Sequence, residues 1–166
     1  MTGTPDPVDQ AWRIHGAVTD WTGKVDSKAA FVLTIESAVI AGVATLMSTG
    51  HQLEHVHGRW RLVVLIVGLA ALAVSVVIAA LVVFPNVRRR HVEAETATNW
   101  VFFGHLKNWD PVDLAQKLRN DDILPVLSRQ LIVMSRIAWR KHARVQLSFL
   151  IALGGAALVL TAALIP

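Results

Sequence analysis

Apolar residues run almost unbroken through three stretches, 29–50, 62–85 and 145–165. Each is about the length a helix needs to cross bilayer hydrocarbon, roughly 20 residues. Glu36 is the one charge inside the first run, the second carries none, and the third begins just beyond Lys141, His142 and Arg144. Outside the runs the pattern becomes periodic. Ile14, Val18, Trp21 and Val25 recur at steps of four, three and four, one apolar stripe on a helix that Asp6-Pro7 would start. Asp110-Pro111 with Asp113 predicts a capped helix to about Leu118. A second start falls at Asp121 or Asp122 and tolerates Pro125 in its first turn. From there Leu124, Leu127, Leu131, Met134 and Ala138 keep a spacing near 3.5. With no breaker between Val126 and Gly154-Gly155, this helix should continue into the third run, roughly 44 residues and about 65 Å at 1.5 Å per residue. The N-terminal helix is likewise expected to continue into the first run.

The pattern predicts an all-α membrane protein: an amphipathic helix in 1–28, a transmembrane helix in 29–50, a short loop in 51–61, a second transmembrane helix in 62–85, a helical module in 86–144 and a third transmembrane helix in 145–165. Composition agrees, since 54% hydrophobic residues and a mean hydropathy of +0.48 in 166 residues exceed what an ordinary soluble domain carries. The polar, acid-containing first 28 residues lack the apolar core of a cleaved signal peptide.

Charge sets the orientation. Of the 16 Lys and Arg, 11 lie in 86–144, Arg13, Lys24 and Lys28 precede the first run, and the loop at 51–61 holds only Arg59 and Arg61. Basic flanks face the cytoplasm, so the N-terminus and the central module are expected inside and the C-terminus outside. Trp21, Trp60 and Trp139 sit near predicted span ends, where indole rings favour the interface. The net charge of +4 is accounted for by orientation and anionic lipid, and nucleic acid is not expected as a partner.

Glu36 lies eight residues beyond Lys28, about 12 Å along a helix, so it should face other helices rather than lipid. It either joins Thr34 and Ser37 in a polar seam that hydrates when the spans separate, or locks packing through a hydrogen bond to a neighbouring helix. The histidines of H-Q-L-E-H-V-H, His51, His55 and His57 with Glu54, have zinc-compatible spacing, but a solvated loop is the simpler reading and no metal is expected. Cysteine is absent, and no P-loop, nucleophile elbow or catalytic acid pair occurs, so neither an enzyme nor a cofactor is expected. Ala38-x-x-x-Gly42 and Ala152-x-x-x-Ala156 would favour close helix packing and self-association.

Two separated motifs add to this. K-V-D-S-K-A-A-F at Lys24 to Phe31 enters the first span, and N-W-V-F-F-G-H-L at Asn99 to Leu106 precedes the long helix that carries S-R-I-A-W-R-K-H at Ser135 to His142. With these motifs, Asp26 and Lys28 marking the inner boundary, the chain resembles the transmembrane effectors of the Pycsar antiphage systems. That resemblance implies a multi-pass protein of the bacterial inner membrane. Its implied signal is cyclic UMP or cyclic CMP made by a neighbouring cyclase, and its implied action is loss of membrane integrity and abortive infection. No soluble cyclic-nucleotide fold is evident, so the helical module would have to sense the ligand. A cyclic nucleotide offers a phosphate, a ribose hydroxyl and a flat base. Asn99, Trp100, Phe102, Phe103, Gly104 and His105 supply polar and aromatic partners for these, with Arg136 or Arg140 for the phosphate; the same side chains also suit core packing and interface anchoring. Three thin helices do not enclose a pore, which points to a homo-oligomer in the lipid bilayer. The competing reading is a constitutive membrane scaffold or partner-binding subunit without a ligand response.

Overall fold

The side chain of Asp6 accepts the Val8 amide at 3.0 Å, and from Pro7 onward no residue interrupts the first helix until Ser48. This is α1 in the computed structural model, which describes residues 5–48, 58–84 and 95–164. Helix α2 spans Arg59–Val83, a 3-10 turn Thr96–Thr98, α3 Phe103–Leu106, α4 Pro111–Asn120 and α5 Leu124–Leu164; no strand occurs among the described residues. Helices α1 and α5 have 42 and 41 residues, so each is one rod of about 60 Å at 1.5 Å per residue. Gly154-Gly155 does not break α5, because a glycine within a long packed helix loses only about 1 kcal/mol relative to alanine.

Among the described residues three helices, α1, α2 and α5, are long and apolar enough to cross a membrane. The chain divides into two units: Met1–Gly23 with Pro85–Trp139, and Lys24–Phe84 with Arg140–Pro166. The second unit holds the predicted spans. In it α2 buries Leu65, Gly68, Leu72, Ser75, Ala79 and Val82, alternating steps of three and four. On α5 the same rhythm runs through the buried Leu127, Ala138, Ser148, Gly155, Val159 and Ala162. On α1 it runs through Ala11, Val18, Val25, Ala29, Val32, Glu36 and Val43. A 3.5-residue repeat keeps one seam facing its neighbours as helices wind around each other to the left. The outer faces of α2, such as Ile66, Val67, Val74, Val77 and Leu81, stay exposed and apolar.

The α1 stripe differs from the sequence expectation: Val18 and Val25 are buried, but Ile14 and Trp21 are 45% and 55% exposed. The true seam passes through Ala11 and the half-buried His15 and Thr22, small or polar residues that an apolar count overlooks. Trp60 and Trp139 are exposed as well, at 52% and 77%.

Helices α2 and α5 approach closely along this seam. A methyl group on Gly68 would lie 3.0 Å from the Gly155 carbonyl oxygen, and one on Gly155 would lie 2.9 Å from the Gly68 carbonyl oxygen. Seven residues along each helix, Ser75 meets Ser148; seven the other way, Arg61 reaches the Ala162 carbonyl at 3.4 Å. Of the two small-residue patterns, Ala38 and Gly42 are exposed, while Ala152 and Ala156 are half-buried against the core that holds Leu72 and Val159.

In the first unit, Asp110 caps α4 by accepting the Val112 and Asp113 amides at 2.8 and 3.4 Å. The start of α5 is fixed by Asp122, which accepts the Leu124 amide at 2.9 Å.

Candidate functional site

Midway along the spans the seam turns polar. The Glu36 carboxyl is 2% exposed, and its Oε1 accepts from Ser75 Oγ of α2 and, at 3.4 Å, from Ser148 Oγ of α5. Each serine also has an alternative acceptor on the opposite helix: Ser75 Oγ lies 2.6 Å from the Ser148 carbonyl, and Ser148 Oγ lies 3.2 Å from the Ser75 carbonyl. A hydroxyl donates one proton, so each serine divides it between Glu36 and the backbone of the facing helix. The serines therefore latch α2 to α5 directly, and α1 meets this serine pair through its carboxyl. Glu36 Oε2 is buried and has no hydrogen-bond partner among the described residues. Such a buried, unpaired atom costs about 1–3 kcal/mol relative to a paired one. Thr34 and Ser37 do not take part. Both are exposed, Thr34 donates to the Ala30 carbonyl within its own helix, and at 100° per residue neither shares the face of Glu36.

Nearer the start of the spans, Lys141 Nζ lies 2.6 Å from Asp26 Oδ1. This pair joins the K-V-D-S-K motif to the R-I-A-W-R-K-H stretch of the long helix and ties α1 to α5. Lys28, two residues on from Asp26, is exposed and has no ion pair among the described residues.

In the other unit, the N-W-V-F-F-G-H segment folds tightly. Trp109 Nε1 donates to the Thr96 carbonyl at 3.1 Å, and Asn108 Nδ2 approaches Thr96 Oγ1 at 3.4 Å. Trp100 is 7% exposed, packs edge-on to Trp109 at 6.5 Å, and has Lys117 Nζ 5.0 Å from its ring centre. Its indole Nε1 is buried without a hydrogen-bond partner among the described residues. His105, also buried, lies 3.9 Å from Glu95 through Nε2 and edge-on to Phe102. The Phe102 ring covers Gly104 so closely that a Cβ there would come within 2.5 Å of it. Asn99 Oδ1 accepts the Val101 amide at 3.3 Å, Phe103 is 70% exposed, and Arg136 and Arg140 are exposed on α5. The structure thus gathers Asn99, Trp100, Phe102, Phe103 and His105 into one knot, with Trp100 and His105 inside it. His51, Glu54, His55 and His57 lie outside the described residues.

Sequence reasoning missed Ser75 and Ser148. Their signal was present as the seven-residue spacing of Gly68, Ser75 and Val82 and of Ser148, Gly155 and Ala162.

Three long apolar helices around a buried polar joint define a helical membrane protein. The chain belongs to the Pycsar effectors: it matches the PycTM family, the Pycsar effector protein domain, over residues 10–166. Neither the curated proteins nor the solved structures compared with it gave a match.

Proposed function

We propose that this protein is an antiphage effector of the bacterial inner membrane that responds to cyclic UMP or cyclic CMP by impairing membrane integrity, so that the infected cell dies before phage matures. In this reading the three spans cross the membrane with the N-terminus and the segment 86–144 inside and the C-terminus outside, and the acting form is a homo-oligomer. Family membership supports the effector role. The observation that carries the membrane action is the Glu36, Ser75 and Ser148 joint, a carboxyl held in the spans by one or two hydroxyls. Moving α1 away would leave Ser75 and Ser148 paired to each other and expose an unsatisfied carboxyl, which draws water into the hydrocarbon.

The buried Trp100 N–H, which lacks an acceptor among the described residues, supports nucleotide sensing in the 99–105 knot: a ligand oxygen would satisfy it, while Phe103 offers a face for the base. Because α1 and α5 each contribute to both units without a helical break, ligand binding has two continuous elements through which to act.

The test is dye release from liposomes carrying the purified protein, with cyclic UMP, cyclic CMP and cyclic AMP added separately. Release with one pyrimidine nucleotide is expected. Intact vesicles with all three, in both protein orientations, overturn the reading.

A further inference from the structure

A groove of about 530 Å³ opens between α1 and α5, wholly within the unit that contains the spans. Its walls change character along both helices in the same direction. On α1 Val25, Ser27 and Lys28 precede Phe31 and Val32, and on α5 His142 precedes Val145, Gln146 and Phe149, so both charged or titratable side chains lie toward one end and both phenylalanines toward the other. Lys28 and Arg144 are the last basic residues before each helix becomes apolar, so the hydrocarbon boundary falls at this polar end and the aromatic end lies in the acyl region. Asp26, two residues before Lys28 on α1, is held by Lys141 at 2.6 Å, and Lys28 itself has no ion pair among the described residues, which leaves its ammonium to act on a different anion. Phe31 and Phe149 remain 67% and 46% exposed beside it.

We propose that this groove is a binding site for one anionic phospholipid, its phosphate at Lys28 and His142 and an acyl chain along Val145, Phe31 and Phe149. Basic pockets between spanning helices at the inner boundary hold such headgroups by charge, and an apolar groove leading away from the cation fits a chain attached to that phosphate. A cation that merely reached up to water would need no groove beneath it. Filling the groove places lipid against both helices that Asp26 and Lys141 join, so bilayer composition becomes part of how firmly α1 is held.

The full-length protein in detergent is titrated with phosphatidylglycerol or with phosphatidylcholine of identical chains, and bound lipid is read by native mass spectrometry. One phosphatidylglycerol per protomer should be retained about fivefold more tightly than phosphatidylcholine, with the preference lost in Lys28→Gln and kept in Lys28→Arg, as one Lys or Arg near anionic lipid contributes about 1 kcal/mol. Equal retention of the two lipids overturns the proposal. So does a preference that survives in Lys28→Gln, or a second copy of the chain that occupies this face in place of lipid.

Discussion

Gly154 and Gly155 are neighbours in one helix, yet alanine should affect them in opposite directions. Both changes gain the same helix propensity, about 1 kcal/mol, so the difference between them isolates packing. At Gly154 an added Cβ meets nothing within 4 Å. At Gly155 it would sit 2.9 Å from the Gly68 carbonyl oxygen and 3.1 Å from the Leu72 amide nitrogen, both backbone atoms of α2 that no rotamer change can move. Helix α2 must then shift by several tenths of an ångström, which lengthens the Ser75 and Ser148 contacts below it. Overpacking of this kind costs about 1–3 kcal/mol. Gly155→Ala should therefore be less stable than Gly154→Ala by that amount, and Gly68→Ala should resemble Gly155→Ala. Reversible unfolding in mixed micelles, followed by circular dichroism, measures the difference. If Gly154→Ala and Gly155→Ala unfold at the same denaturant concentration, the close crossing of α2 and α5 is wrong.

Glu36→Leu should abolish nucleotide-triggered toxicity, because it removes the carboxyl that would draw water between the spans; cell survival at matched expression reads this, and unchanged killing sinks the role of Glu36. Trp100→Phe keeps the ring and removes the unpaired N–H, so nucleotide affinity should fall about tenfold with the helical spectrum unchanged, the scale of one hydrogen bond to a charged ligand. Equal affinity by calorimetry would remove the indole from the ligand site. Asp26→Asn and Lys141→Gln should couple in a double-mutant cycle by about 0.2–1 kcal/mol, the range of a partly exposed ion pair; strictly additive effects on unfolding would mean the pair contributes nothing.

Much of this architecture was readable from residue pattern. Pro7, Asp110 and the Asp121-Asp122 pair marked helix starts because capping chemistry is local, Asp122 being the one that caps, and the breaker-free stretch after Val126 became one helix. Periodicity was visible only where polar residues alternate with apolar ones. Inside the spans every face is apolar, so the seam had to be read from small and hydroxyl side chains instead. Glu36 was correctly expected to face other helices, but residues near it in sequence, Thr34 and Ser37, point elsewhere, and its partners come from helices 39 and 112 residues away. The Asp26 and Lys141 contact spans 115 residues and has no local signal. In the 99–105 knot the residue types were legible, but burial of Trp100 and His105 depended on Trp109, Glu95 and Lys117.

The order in which the ribosome delivers these helices bears on the polar joint. Glu36 and Ser75 are synthesised before Ser148, so until α5 emerges the carboxyl has one of its two hydroxyl donors and the Gly68 face of α2 is uncovered. Helices inserted first and packed later accept any matching partner in the bilayer. A crowded membrane thus offers α2 the α5 of another copy, and overexpression should yield exchanged dimers that reproduce every contact of the monomer seam between chains.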